Sequence, residues 1–162
     1  MTSPVAAPAA PLTLLAMAGL NLTPSRLADA VLLLIDCQNE YLQGPLALPG
    51  AAAAADEAAA LLRRARAAGT PVVHVVHQGG AGGPFDPEAP RGAIMDAVAA
   101  APGEAVVPKR LPNAFAGTDL QARLRATGRS ELIVVGFMTH MCVSATVRAA
   151  LDHGCRSTVV AG

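Results

Sequence analysis

The chain has 162 residues with 12 basic and 12 acidic side chains, a formal net charge of zero. That balance argues against a nucleic-acid or membrane-surface partner. With 52% hydrophobic but only 2% aromatic residues, the core must be built from Ala, Val and Leu. The length suits one domain with a substantial core, and near-zero charge does little against self-association, so a homo-oligomer (dimer or tetramer) is expected.

Cys37, Cys142 and Cys155 are the three cysteines. An odd count without paired spacing argues against a disulfide framework and for a reducing, cytoplasmic setting. No C-x-x-C or Cys/His cluster has zinc spacing, so no structural zinc site is expected.

Residues 1–24 read as an N-terminal segment ahead of a domain over 25–162. Its Ala/Pro-rich start reads as loose and partly disordered. Leu12–Leu20 is apolar, too short to span a membrane and without the basic lead of a signal peptide, so it predicts a short helix packed on the body. Val31–Ile35 is an unbroken apolar run, a strand buried on both faces as parallel strands are. It runs into Asp36. A carboxylate at the carboxyl end of a parallel strand stands where open α/β sheets place their sites. A turn or cap is the common use of such an Asp, but no helix start is read directly after it. Cys37 reads as packing.

Gly44–Gly50 is a loop, and Ala51–Ala68 is a helix by composition, acidic early and basic late, closed by Gly69. Pro71–His77 is the second strand. His74 and His77 are three apart on it and point to opposite faces, so they do not readily share an ion. His74 reads as structural and His77 as a pocket residue. Gln78–Pro90 is a Gly/Pro loop long enough to cover a site. Ile94–Ala100 predicts a helical turn, Ala105–Val107 a short strand ending in Pro108-Lys109-Arg110, and Thr118 the cap of a helix through Thr127.

Leu132–Val135 is the fourth strand, broken by Gly136. From Cys142 the spacing turns helical, with Val143, Val147, Ala150 and Leu151 on one face and Gly154 as C-cap. A cysteine at a helix start sits in partial positive charge, which favours thiolate and can hold an oxyanion. From position alone, a small buried hydrophobe is an equal reading of Cys142. Arg156–Val160 is the fifth strand. The alternation predicts an α/β fold with a parallel sheet covered on both faces, and Asp36, Lys109 and Cys142 at its carboxyl edge. No Walker A loop or Gly-x-Gly-x-x-Gly opens a helix.

Three segments carry a resemblance: Leu33-Leu34-Ile35-Asp36-Cys37-Gln38-Asn39-Glu40-Tyr41; Pro108-Lys109-Arg110 with Asn113-Ala114-Phe115 and Gly117-Thr118; and Gly136-Phe137-Met138-Thr139-His140-Met141-Cys142-Val143. In order and separation they resemble the isochorismatase-like cysteine hydrolase superfamily over about residues 25–162. The resemblance implies a three-layer αβα sandwich with a Rossmann-like sheet of order 3-2-1-4-5-6. Against that pattern the chain reads as short by the C-terminal strand and helix. It also implies an Asp-Lys-Cys triad. Cys142 is then the nucleophile, Asp36 the general base and acid, and Lys109 the cation that lowers the thiol pKa. A cis peptide before the motif threonine, Phe137–Met138 here, is implied to aim the Met138 N–H, with that of Cys142, at the oxyanion.

Family members with the cysteine are mainly amidohydrolases working through a thioester, among them enzymes resembling nicotinamidases, ureide and carbamoyl-amide hydrolases and streptothricin hydrolases. The Asp/His metal cluster of nicotinamidases is not matched, since only His77 stands near it, so a nicotinamidase is not expected, nor any metal or cofactor. Hydrolysis of a C–N bond in a small amide or carbamoyl substrate is therefore the expected function. Tyr41, His77, Phe115 and Phe137, which flank the triad in sequence, are the candidate pocket walls, suited to a planar or apolar substrate portion. Competing expectations are a shortened, non-catalytic subunit that binds a small molecule or a partner, and a vinyl-ether hydrolase of the isochorismatase type. Reversible oxidation of Cys142 would follow from a low-pKa, accessible thiolate.

Overall fold

The computed structural model describes residues 13–19 and 21–161. The strands are β1 Ala30–Ile35, β2 Val72–His77, β3 Ala105–Lys109, β4 Glu131–Gly136 and β5 Arg156–Val159. They form one parallel sheet of order β3-β2-β1-β4-β5. The expected parallel α/β architecture is found, with the 3-2-1-4-5 part of the implied order; the described residues contain no sixth strand.

β1 is central because its sequence is apolar at every position. Alternate side chains feed opposite layers: Ala30, Leu32 and Leu34 pack toward α3 (Ala51–Ala67), and Val31, Leu33 and Ile35 toward α4 (Leu120–Ala126) and α5 (Ser144–Asp152). Each residue from Val31 to Ile35 is at most 1% exposed, so each side chain contributes about 1.5–3 kcal/mol by burial. α3 lies close on the sheet because its inner face is small: Ala51, Ala55, Ala58, Ala59, Leu62 and Ala65 are buried.

Several expectations are corrected. A one-turn helix, α2 (Glu40–Gln43), follows Asp36 after all, but its cap position is Asn39, so Asp36 does not cap it. The helical segment α1 (Leu14–Met17) is capped by Thr13, but Leu14 and Met17 are 83% and 69% exposed, so these two apolar side chains do not pack on the body. Residues 1–12, on which the loose start was read, lie outside the described residues. The turn expected at 94–100 is a short 3₁₀ segment, Asp96–Val98. β3 runs on through Pro108 to Lys109, which an edge strand tolerates because the missing N–H faces away from its partner. Leu151 leaves the buried face of α5 at 58% exposed, while Val143 and Ala150 stay buried.

Candidate active site

Three strand ends build the site. β1 ends on Asp36, whose φ of 51° turns the chain out of the sheet; Asp is among the residues that tolerate this region. The turn is held by Asp36 N–H donating to Val75 C=O (2.9 Å) and Gln38 N–H donating to Asp36 C=O (2.8 Å). β3 alternates strictly in its second half, with Val106 and Pro108 outward and Val107 and Lys109 inward. Lys109 therefore enters the interior on the same face as Val107 and is 2% exposed. Its partner across the ladder is His77, the last residue of β2.

β4 ends on Gly136 at φ 131°, where an added Cβ would overlap the Ile35 carbonyl. Only glycine lets the chain leave across β1 at that point. Phe137 N–H then donates to Ile35 C=O (2.9 Å), which ties the loop to the end of the strand carrying Asp36. The Phe137–Met138 peptide is cis. A π-helical turn, Thr139–Val143, leads into α5. In it Met141 and Val143 donate to the Met138 carbonyl at 3.0 and 3.3 Å, stepping over the Cys142 N–H.

These elements bring Asp36, Lys109 and Cys142 together. Lys109 Nζ lies 2.7 Å from Asp36 Oδ2, 3.2 Å from Cys142 Sγ and 3.1 Å from His77 Nδ1. Asp36, His77 and Cys142 offer ligand-type atoms that all lie within 4.8 Å of one another. The ammonium, however, contacts all three, so a metal ion would have to displace a buried cation. Asp36 is 0% and Cys142 7% exposed.

Burial sets the charges. It raises the Asp36 carboxyl above its ordinary value, against the pull of Lys109. It also pushes the Cys142 thiol up to about 11; the Asp36 charge adds to the rise, and Lys109 only partly offsets it. The expected low-pKa thiol is therefore corrected. The helix start and the lysine do not outweigh desolvation and the neighbouring Asp36 charge. Cys37 is 3% exposed and pushed to about 12 by burial, in keeping with packing.

Tyr41, Phe137 and His77 surround the end of the sheet, joined by Phe85, which sequence reasoning did not single out. Phe85 stacks edge-on against Tyr41 at 5.3 Å and tilted against His77 at 5.1 Å, and Tyr41 meets Phe137 at 5.2 Å. Phe115 belongs to the other core layer, the one containing Cys142, and stacks on His153 at 4.5 Å. His74 turns away to Glu104 (3.0 Å) and is 2% exposed.

Two further polar residues hold the site. Gln38, 1% exposed, clamps the end of β2: its Oε1 accepts from His77 N–H (2.8 Å) and its Nε2 donates to the carbonyls of His77 (2.9 Å) and Gly92 (2.8 Å). Glu40, 0% exposed, accepts from Phe85 N–H (3.0 Å) and pairs with Arg91 (3.7 Å), fastening the loop after β2 over the site. Their signal in the sequence was the polar run at alternate positions 36, 38 and 40 after an apolar strand. A cleft of about 440 Å³ lies behind this site, between α3 and the ends of β4 and β5; it reaches Phe137 and Thr139 but is not lined by the three central residues.

Residues 30–161 match the isochorismatase domain. The chain belongs to that family. The resemblance read from three segments is thus borne out. This isochorismatase-family chain is 39% identical over 139 residues to the secreted isochorismatase effector Isc1 of Verticillium dahliae, covering 85% of this chain and 73% of that one. It is 36% identical over 146 residues to maleamate amidohydrolase of Pseudomonas putida, covering 80% and 68%. Among solved structures, an isochorismatase from Pseudomonas putida KT2440 superposes with a TM-score of 0.89 at 45% identity, covering 93% of this chain and 78% of that one.

Proposed function

We propose that the chain is a cysteine amidohydrolase that cleaves the C–N bond of a small amide or carbamoyl compound through a thioester, with no metal in the reaction. The observation that carries this is the buried contact of one ammonium with a carboxylate at 2.7 Å and a thiol sulfur at 3.2 Å. Kinship with an enzyme named for amide hydrolysis supports the reaction class.

Asp36 takes the Cys142 proton as sulfur attacks the carbonyl carbon. The S–C bond forms, and the carbonyl oxygen becomes an oxyanion facing the N–H groups of Cys142 and Met138. Collapse breaks the C–N bond, and Asp36 gives its proton to the departing nitrogen. Asp36 then takes a proton from water, whose oxygen attacks the thioester; the C–S bond breaks and the thiol is restored. The sum is amide plus water to acid plus amine. Lys109 stays an ammonium throughout. Before the first proton moves, the trio holds one carboxylate and one ammonium; afterwards, one thiolate and one ammonium. Net charge is zero in both states, so the step avoids placing an uncompensated charge in a buried site.

Tyr41, Phe85 and Phe137 suit an apolar or planar substrate portion. Buried free thiols at Cys37 and Cys142 support a reducing, cytoplasmic setting, although one relative is named as secreted; among the described residues no helix is long and apolar enough to cross a membrane. Exposed Leu151, Val159 and Val160 support a homo-oligomer.

The test is ammonia or amine release from a panel of small monoamides, ureides and carbamoyl amines, comparing the wild-type chain with Cys142→Ala. Turnover by the wild type, lost in a variant of unchanged melting temperature, is expected. Full activity in the variant would overturn the nucleophile. A folded wild type inert on the whole panel, yet stabilised by one of these compounds, would favour a binding subunit instead.

A further inference from the structure

Lys109 has three N–H bonds and three neighbours, and the third neighbour has no part in the proton steps above. We infer that His77 is the positioning residue of this site, a neutral imidazole whose Nδ1 takes the third N–H of Lys109 and holds the ammonium on both Asp36 and Cys142. The inference deepens the hydrolase reading and rests on it.

Backbone register makes the pair. His77 and Lys109 stand opposite each other on adjacent parallel strands, and Gln78 N–H donates to Lys109 C=O (2.8 Å) just beyond them. Side chains opposite each other on neighbouring strands leave the same face. His77 cannot slide out of register, because Gln38 binds both its N–H and its C=O. Phe85 packs on the ring at 5.1 Å and restricts its rotation.

Chemistry then fixes the tautomer. An ammonium is a donor only, so the ring nitrogen 3.1 Å from it must be an unprotonated acceptor. The proton of the neutral ring therefore sits on Nε2. The charged and titratable groups facing His77 are Lys109 from β3, Asp36 from the end of β1 and Cys142 from the π turn. Burial and Lys109 both disfavour the imidazolium, against Asp36.

A neutral acceptor is what the trio needs at this position. A carboxylate would compete with Asp36 and the nascent thiolate for the ammonium and leave the site with a net negative charge. An apolar side chain would leave one N–H of a buried ammonium unpaired. The ammonium would then settle on its strongest acceptor, Asp36 at 2.7 Å, and drift from the sulfur at 3.2 Å. The thiolate would lose its counter-charge while the fold stayed intact.

The test has two readouts on the full chain. In ¹⁵N-histidine NMR, with His77 assigned by its loss in His77→Gln, the wild type should give the Nε2–H tautomer through neutral pH, and Lys109→Met should raise the protonation midpoint of His77. An Nδ1–H tautomer, or a midpoint indifferent to Lys109→Met, overturns the inference. In the second readout, Cys142 is alkylated by iodoacetamide at pH 8 and located by mass spectrometry. His77→Ala should slow the reaction about threefold, a tenfold smaller thiolate population for one pK unit of thiol partly offset by a more basic, better nucleophile, despite the space it opens. His77→Asn, whose amide oxygen replaces Nδ1, should recover most of that loss, whereas His77→Gln should not. A His77→Ala rate equal to or above wild type, with Lys109→Ala slow, overturns the role of His77 alone. An unchanged Lys109→Ala rate overturns the triad, and the tautomer then decides whether the histidine contact exists.

Discussion

Replacing Asp36 by Asn should make Cys142 more reactive toward an alkylating agent while abolishing hydrolysis. The two effects have one cause. Cys142 is held up to about 11 by burial and then by the Asp36 charge, with Lys109 pulling the other way. The carboxylate and the sulfur lie within 4.8 Å. At an effective dielectric of about 20, two unit negative charges at that distance repel by about 3 kcal/mol, which is about 2 pK units. Removing the carboxylate charge leaves the sulfur facing the ammonium alone, so its pKa should fall toward 9 or below. The thiolate population at pH 7 should then rise roughly a hundredfold. A less basic thiolate is intrinsically a poorer nucleophile, which returns about a factor of ten, so iodoacetamide labelling should quicken about tenfold. In the proposed mechanism hydrolysis should nevertheless fall by about a thousandfold or more, because Asp36 is the group assigned to protonate the leaving nitrogen. The assay is the labelling rate at Cys142 by peptide mass spectrometry, beside product release from an active substrate. Labelling that slows in a folded Asp36→Asn variant would refute the charge balance, and retained turnover would refute the role of Asp36.

Other expectations concern the frame of the site. Glu104 accepts from Arg66 Nε and Nη2 and from Ala101 N–H, each at 2.8 Å, and meets His74 at 3.0 Å. These partners, Arg66 first, hold its carboxyl down at about 2 against an ordinary 4.5. Its contribution is therefore complete above about pH 4.5 and lost as pH falls through about 2. Glu104→Gln should cost about 1–2 kcal/mol at pH 7 in urea denaturation, with the gap from wild type closing as pH drops through that window; a gap independent of pH would count against the ion pair. Glu40→Ala should loosen the loop after β2, raising hydrogen exchange at the Phe85 amide about tenfold by loss of a buried acceptor; unchanged protection would mean that Phe85 packing, not Glu40, holds the loop.

The strands and their polarity were legible because central parallel strands are apolar at every position, as Val31–Ile35 and Leu132–Val135 are. Their ends located Asp36 and Cys142. Lys109 was legible in position but not in depth. Its inward turn follows from alternation with Val107, a two-residue cue on a strand interrupted by proline. Three things stayed hidden for physical reasons. The direction of the Cys142 pKa depends on burial and on an anion 106 positions away in sequence. Phe85 meets Tyr41 because the loop after β2 folds back over the site, where Glu40 accepts from the Phe85 N–H. Leu151 fits the helical period of α5 yet stays exposed, because periodicity says which side chains share a face and not whether anything covers it.

The cation at the centre has to be lysine rather than arginine on geometric grounds. Its three acceptors are a carboxylate oxygen, a sulfur and an imidazole nitrogen, at 2.7, 3.2 and 3.1 Å from one atom. A tetrahedral ammonium at the end of a flexible stem can point one N–H at each. A guanidinium spreads its donors across a plane and favours paired acceptors such as both oxygens of one carboxylate. It would bind Asp36 in that way and abandon the sulfur, fixing on the carboxylate the negative charge that the proposed mechanism transfers to sulfur. The same compactness lets the cation come from an edge strand: one inward lysine, anchored by register beside His77, reaches the end of β1 across β2. Sheet order therefore constrains the chemistry. With β1 central, the carboxylate stands between strands that deliver the cation from one side and the thiol from the other, and a proton can pass between Asp36 and Cys142 without either leaving the ammonium.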